Sequence, residues 1–373
     1  MNKIKVMSIF GTRPEAIKMA PVIKELEGHE GIESVVCVTA QHREMLDQVL
    51  DLFEIKPDYD LNIMKPGQTL SEITSRVLLG LEEVIKEVKP HMVLVHGDTT
   101  TTFAGALAAF YQQVKVGHVE AGLRSGNMYS PYPEEINRIL TGRLSHLHFA
   151  PTLGNKKNLL SEGISEESIV LTGNTVIDAL LQVVKEDYRF EDARLNHIDY
   201  RNKKVILLTA HRRENLGGPM INIFSAVKEI TEKNTDVEVV FPVHLSPQVR
   251  RLAYEILGEV KNVHLIEPLD YAPFANLMAK SYLILTDSGG IQEEAPALGK
   301  PVLVLRTETE RPEAVEAGTV KIAGIEKERI VALTEELLHH RQTYEGMANA
   351  VNPYGDGRAS QRTVEAIVKH FGK

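Results

Sequence analysis

The 373-residue chain has no tryptophan, a single cysteine and only 6% aromatic residues. One thiol excludes both a disulfide framework and a cysteine-based zinc site. Cys37, inside the apolar run Val35-Val36-Cys37-Val38, reads as an inert buried thiol rather than a nucleophile. No apolar stretch is long enough to span a membrane, which excludes a transmembrane helix. The opening Met1-Asn2-Lys3-Ile4-Lys5 leads into Val6–Phe10, a run far shorter than the apolar core of a secretory signal, so a cytoplasmic protein is expected. There is no block of Lys and Arg either. The 42 basic residues stand against 51 acidic ones, for a net charge of −9. That balance argues against general nucleic-acid binding and leaves room for a local basic pocket around a small anion. Neither G-x-G-x-x-G nor G-x-x-x-x-G-K-[ST] occurs, so the dinucleotide fingerprint and the P-loop are both excluded. Low-complexity linkers and repeats of solenoid length are missing as well.

What is present is the composition of a globular protein, 43% hydrophobic and 25% charged, in a chain long enough for two domains. A chain of this size buries about three quarters of the surface it exposes when unfolded, so its core suffices without a staple. Short β-branched runs alternate with stretches of helical period: Ile4–Phe10, Ser34–Thr39, Met92–His96, Val114–Val119, Val205–Leu208, Val237–Pro242, Val263–Ile266, Leu283–Thr286 and Val302–Leu305. Such alternation predicts parallel sheets covered by helices on both faces. The segment from Lys203 to Thr209 resembles the start of the chain, because each is a Lys-flanked apolar strand that empties into a polar, basic turn. Two Rossmann-like domains are therefore expected, residues 1–173 and 174–356. A helix over about 357–373 is expected to pack back on the first, and residues 151–171 read as strand, helix and strand of that first unit.

In open α/β sheets ligands sit beyond the carboxyl ends of the strands, so the residues that follow each strand are where chemistry is sought. After the first strand comes Gly11-Thr12-Arg13-Pro14-Glu15, with Lys18 a turn later. The glycine permits a tight turn and Pro14 suits a first helical turn, leaving backbone N–H groups and Arg13 for an anion. As isolated residues, Arg13 and Lys18 read equally as solvated charges. The next strands end in His96-Gly97-Asp98-Thr99 and His118-Val119-Glu120-Ala121-Gly122-Leu123-Arg124, each placing a carboxylate beside a glycine. Asp98 also fits a helix N-cap; Glu120 has no such alternative. Pro133-Glu134-Glu135-Ile136-Asn137-Arg138 starts a helix in which Glu134 and Arg138 share a face, which an ordinary first-turn acid with an i,i+4 partner would also explain. In the second half, His211-Arg212-Arg213-Glu214-Asn215 suits phosphate recognition. Asp287-Ser288-Gly289-Gly290-Ile291-Gln292-Glu293-Glu294 sets two glycines at a strand-to-helix turn, where exposed N–H groups fit a diphosphate and Glu294 a ribose diol. The alternative is a surface helix cap with a solvated acid.

Together these motifs, in order and spacing from Phe10 to about Arg311, resemble the non-hydrolysing UDP-N-acetylglucosamine 2-epimerases of bacteria. The resemblance implies a GT-B architecture: two Rossmann-like, doubly wound parallel-sheet domains with the nucleotide sugar in the cleft between them. It further implies a cytoplasmic homodimer that uses neither metal nor nicotinamide. Carried over by position, it sets uridine and diphosphate against Arg13, His211, Phe274, Ser288, Gly289, Gly290 and Glu294. Lys18, Asp98, Glu120, Glu134, Arg138 and His211 surround the reacting sugar, Arg212 helps to hold the departing UDP, and Arg138 orients Glu134. Gln41, His42, Gln68, Arg213 and His244 look like the second-site positions at which UDP-GlcNAc acts as activator in regulated members.

The expected reaction is the interconversion of UDP-GlcNAc and UDP-ManNAc. The hydrogen at C2 is barely acidic, so loss of UDP from C1 comes first and acidifies it. Elimination gives 2-acetamidoglucal, and UDP then adds back as the proton returns to the other face. A GT-B glycosyltransferase, a hydrolysing epimerase and a noncatalytic nucleotide-sugar sensor are the rival readings.

Overall fold

The strand β1 (Ile4–Phe10) is almost entirely buried along Ile-Lys-Val-Met-Ser-Ile-Phe, as a strand must be when helices cover both faces of its sheet. It is followed by α1 (Arg13–Gly28), β2 (Ile32–Val38), α2 (Arg43–Leu52), β3 (Tyr59–Asp60), α3 (Leu70–Val88), β4 (Met92–His96), α4 (Thr100–Tyr111) and β5 (Lys115–Val119). Then come α5 (Glu134–Leu144), β6 (Leu147–Ala150), α6 (Leu153–Ser161), β7 (Ile169–Leu171) and α7 (Thr175–Val183). The seven strands pair in parallel in the order β3-β2-β1-β4-β5-β6-β7. The chain winds outward from β1 to β3, returns to β4 on the other side, and winds outward again. The loops after β1 and β4 therefore diverge, and the crevice between them is where such a sheet binds ligands.

The computed structural model describes residues 3–40, 43–65 and 67–372. It divides into two compact units, Met1–Gln182 with Tyr354–Lys373, and Val183–Pro353. The division lies beyond α7 instead of at Gly173, because α7 is wired to the end of the chain. Asp178, 3% exposed, accepts hydrogen bonds from the N–H groups of Ala359 at 3.1 Å and Ser360 at 2.8 Å, which supplies the missing cap of the last helix. The N–H of Asn174 meets the carbonyl of Tyr354 at 2.7 Å where the chain returns.

The second unit holds α8 (Ala193–Asn196), β8 (Lys204–Thr209), α9 (Gly218–Lys233), β9 (Val237–Pro242), α10 (Pro247–Leu257), β10 (Val263–Ile266), α11 (Tyr271–Lys280) and β11 (Leu283–Thr286). These are followed by α12 (Ile291–Ala297), β12 (Val302–Val304), α13 (Pro312–Glu316), β13 (Val320–Ile322), α14 (Lys327–His339) and α15 (Arg341–Ala348). The remaining helix α16 (Ala359–His370) packs on α1 in the first unit. Six parallel strands run β10-β9-β8-β11-β12-β13. Here the switch point lies between β8 and β11, where the hydroxyls of Thr209 and Thr286 meet at 2.6 Å. The core of this unit includes Leu208, Phe224, Val239, Phe241, Leu285 and Leu303, all fully buried.

The doubly wound α/β expectation is met in both units. The strand expected to open residues 151–171 lies just before them, at β6, and β3 and β13 were not anticipated. Those two are only two and three residues long, too short to leave a periodic pattern.

Replacing Asp178 with Ala leaves two buried N–H groups without an acceptor. A loss of about 1–3 kcal/mol is expected, read as a lower urea midpoint together with faster amide exchange across Ala359–His370.

Candidate active site

In the first unit, Thr12 caps α1 in a capping box with Glu15. Gly11 is required just before it, since a Cβ there would come within 2.0 Å of the Thr39 hydroxyl. Glu15 does more than cap. It is 2% exposed, and its carboxylate accepts from the N–H of Gly11 at 3.1 Å and of Thr12 at 2.8 Å. Across the switch point it also accepts from the hydroxyls of Thr99 at 2.7 Å and Thr102 at 3.1 Å. Arg13, half-buried at the first helical position, has no side-chain partner among the described residues.

The cap of α4 is Thr99, whose hydroxyl accepts from the N–H of Thr102 at 3.1 Å. Asp98 is thereby free of that duty, and it pairs with the Arg138 guanidinium. Arg138, only 6% exposed, also meets Glu135 at 3.1 Å. Glu135 in turn accepts from the N–H groups of Ser125 and Gly126. The expectation that Arg138 orients Glu134 is therefore corrected: its planar fork spans Asp98 and the buried Glu135. Glu134, half-buried in the first turn of α5, has no partner among the described residues.

Glu120 follows β5 with φ 62°, in the left-handed region that a glutamate rarely occupies. Lys18 pairs with its carboxylate, Asn174 donates to it at 3.1 Å, and the His96 ring lies 3.7 Å away. Burial alone raises this carboxyl, but Lys18 and His96 outweigh burial and hold it well below the usual carboxylate range. Behind it, His118 is fully buried and hydrogen-bonded to the Gly97 carbonyl at 2.7 Å. Burial pushes its imidazole down to about 3, so it is neutral and structural.

In the second unit the same kind of wiring surrounds Asp287, 0% exposed at the end of β11. One carboxylate oxygen accepts from the N–H groups of His211 at 2.8 Å and Arg212 at 2.9 Å and from the Asn215 amide at 3.1 Å. The other lies 3.1 Å from His211 Nδ1. Burial raises the carboxyl, and the imidazole with the two N–H groups outweighs it, leaving Asp287 lowered. His211 is thus held at the switch point with Nε2 unengaged among the described residues, its ring stacked on His244 at 5.5 Å. The N–H of Ser288 is tied to the Thr286 hydroxyl, while those of Gly289 and Gly290 find no acceptor among the described residues. A Cβ on Gly289 would lie 3.8 Å from the Arg212 guanidinium, and one on Gly290 3.6 Å from the Glu294 carboxylate. Glu294 is half-buried beside Tyr271, whose hydroxyl is raised well above its usual range, first by burial and then by Glu294. It is not the solvated acid of the alternative reading. Phe274 stands half-buried on α11, one turn beyond Tyr271.

Of the activator positions, Gln41 and His42 lie outside the described residues. Gln68 clips its own loop, accepting from the N–H of Lys65 and donating to the Ile63 carbonyl. Arg213 is exposed with no side-chain partner among the described residues, and His244 Nδ1 accepts from the N–H of Ser246 at 3.1 Å. Glu15, His96, Glu135, Asn174 and Asp287 were not singled out from the sequence. Only Glu15 and Asp287 carried a signal, as the acids nearest the two switch-point turns.

A model of the UDP-N-acetylglucosamine 2-epimerase family matches residues 24–368. The chain belongs to the UDP-N-acetylglucosamine 2-epimerase family. It is similar to the UDP-N-acetylglucosamine 2-epimerase of Bacillus subtilis, with 60% identity over 372 residues covering 100% of this chain and 97% of that one. Among solved structures it resembles UDP-GlcNAc 2-epimerase from Neisseria meningitidis bound to UDP-GlcNAc, at 57% identity and TM-score 0.85, covering 98% of this chain and 100% of that one. The Methanocaldococcus jannaschii UDP-GlcNAc 2-epimerase in complex with UDP-GlcNAc and UDP is 38% identical with TM-score 0.76, covering 98% and 99%. The two doubly wound sheets of this epimerase-family chain are the two halves of a GT-B architecture, and Asp98, Glu120 and Glu134 lie on the first half.

Because the Glu120 carboxyl is depressed on folding, its stabilising contribution is present in full above its ordinary value of 4.5 and is lost as pH falls through the lower folded value. The stability margin over Glu120→Gln is therefore expected to be largest near neutrality and to shrink below pH 4.5, measured by urea denaturation across pH. A margin that grows in acid would contradict the assignment.

Proposed function

We propose that the protein is a non-hydrolysing epimerase that interconverts UDP-GlcNAc and UDP-ManNAc in the cytoplasm and supplies N-acetylmannosamine units for cell-surface polysaccharide. The observation that carries this reading is the set of acids after β4 and β5 and at the start of α5. Asp98 is ion-paired, Glu120 is held charged by Lys18, and Glu134 has no partner among the described residues. An inversion that handles a proton on both faces of C2 calls for more than one acid, and three carboxylates in three electrostatic settings favour such proton chemistry over transfer to an acceptor.

In this mechanism UDP departs from C1 with the bonding electrons, and the positive charge left on C1 acidifies the C2 hydrogen. Asp98, Glu120 and Glu134 share the stabilisation of that charge and the removal of the proton, giving 2-acetamidoglucal and UDP. UDP then re-adds at C1 while a proton is delivered to the opposite face of C2. In the gluco sugar the axial C1–O and C2–H bonds are anti; in the manno sugar the C2–H is equatorial and syn to UDP, so one acid on one face does not suffice. Arg13, Arg212, His211 and the N–H groups of Gly289 and Gly290 take the charge of departing UDP. Asp287 fixes the His211 ring so that Nε2 is available to a diphosphate oxygen. Ser288, Phe274 and Glu294 hold the uridine end, Lys18 holds Glu120 as well as the sugar, and Arg138 fixes Asp98.

The reading includes a homodimer, supported by the exposed Leu79, Phe110, Tyr111 and Leu140 on the neighbouring helices α3, α4 and α5. It also includes activation by a second UDP-GlcNAc at Gln41, His42, Gln68, Arg213 and His244, supported by Arg213, which has no side-chain partner among the described residues, and by the stacking of His244 on His211. Arg213→Ala is expected to turn a sigmoidal dependence on UDP-GlcNAc into a hyperbolic one, with UDP affinity unchanged. Steady-state rates read this directly, and hyperbolic kinetics in the unaltered protein would remove the activator.

Proton NMR of UDP-GlcNAc with the purified protein in D₂O tests the chemistry. Deuterium is expected to enter C2 as UDP-ManNAc appears. Glu120→Gln is expected to lose about 10²–10⁴-fold in turnover while UDP still binds. Free N-acetylmannosamine accumulating with UDP would make the protein a hydrolase, and binding without exchange would leave a transferase or a sensor.

A further inference from the structure

The opposite edge of the second sheet carries a cavity of about 370 Å³. Lys204 opens β8, Tyr282 precedes β11 and Lys300 precedes β12, so the cavity lies at the amino ends of three neighbouring strands. His211 and Gly289 follow the same strands, about 20 Å away along β8 at ~3.3 Å per residue. The two sites are therefore separate.

Its walls are strongly basic. Lys203, Lys204, Lys280 and Lys300 line it half-buried, with Arg201 exposed beside them. The single lining carboxylate, Asp236, reaches Lys204 at 3.4 Å. Three of the ammonium groups rest on backbone carbonyls: Lys203 on Thr235, Lys204 on Leu338 and Lys280 on Glu186, at 2.8, 2.9 and 3.0 Å. Carbonyls orient these cations without neutralising them. Lys300 has no side-chain partner among the described residues, and burial pushes its ammonium below the usual lysine range. The Tyr200 hydroxyl on the same wall is buried with no hydrogen-bond partner among the described residues. Tyr282 and Tyr344, stacked at 4.2 Å, line the same cavity.

Like charges that line one cavity repel, and partly buried lysines ordinarily have a counter-charge. Five cations against one acid, with an idle buried donor, form a cradle that an anion would complete. A compact, multiply charged, tetrahedral anion matches separate point-charge donors better than a planar carboxylate, which suits a guanidinium fork. We propose that this cavity binds a phosphate group, free or as a phosphate ester, at a site separate from the nucleotide-sugar site.

Competitive acylation of the full-length protein by limiting acetic anhydride at pH 8, read by mass spectrometry at Lys300 and at the exposed control Lys157, tests this. Orthophosphate or glycerol 3-phosphate at ten times its dissociation constant is expected to slow acylation of Lys300 about tenfold, leaving Lys157 unchanged. Sodium chloride at matched ionic strength is expected to slow neither lysine. The lower half-protecting concentration of the two probes identifies the free anion or the ester as the better ligand. Tyr200→Phe is expected to raise that concentration about tenfold or more, as loss of a hydrogen bond to a charged group does. Unaltered Lys300 acylation with both phosphates, equal protection by chloride, or equal slowing at Lys157 would each overturn the proposal.

Discussion

Each sheet depends on one buried carboxylate that ties together the two loops diverging at its switch point. Glu15 in the first unit and Asp287 in the second are almost completely inaccessible, and a carboxylate so placed is tolerated only when hydrogen bonds replace its lost water. Glu15 takes them from Gly11 and Thr12 after β1 and from Thr99 and Thr102 after β4. Asp287 takes them from His211, Arg212 and Asn215 after β8, while itself following β11. The penalty for leaving either acid unsatisfied ties the crevice walls together, so the fold's strongest local constraint lies at the switch points, where doubly wound sheets take their ligands.

Once these acids and Glu135 have taken their donors, a few groups remain that the fold does not neutralise. Asp98 and Glu120 are held by Arg138 and Lys18, whereas Arg13, Glu134 and Arg213 have no side-chain partner among the described residues. The glutamate backbone at φ 62° belongs with them. Strain of that kind costs of order 1–3 kcal/mol and persists only where surrounding contacts dictate it. Here Lys18, Asn174 and His96 converge on the side chain and fix it.

The strand ends, and with them nearly every candidate residue, were legible in the sequence because a doubly wound sheet puts its chemistry after its strands. The wiring was not. Nothing local links Arg138 to Asp98, Asn174 to Glu120 or Asp287 to His211, since such contacts span forty to seventy-six positions and leave no periodicity. The helix spacing of Glu134 and Arg138 pointed to a pair, but it was overridden when Arg138 was drawn inward to Glu135 and Asp98. Asp98 read as a cap because Thr99, one residue on, is an equally good one.

The two edges of the second sheet differ for one further reason. In a parallel α/β unit the helix amino termini gather at the carboxyl ends of the strands, and the helix carboxyl termini at the opposite edge. Their partial charges favour anions at the first and cations at the second. Lys280, the last residue of α11, sits where that rule places it. The rule accounts for lysines at this edge being stable, but it does not account for Lys300, whose ammonium meets no carbonyl among the described residues, or for the unsatisfied Tyr200 hydroxyl. Helix ends draw cations to carbonyls, whereas these two donors share a cavity with room for a ligand. The same dipole arrangement that makes one edge favourable to anions thus stocks the other with lysines, and a cavity there turns a folding preference into an anion cradle.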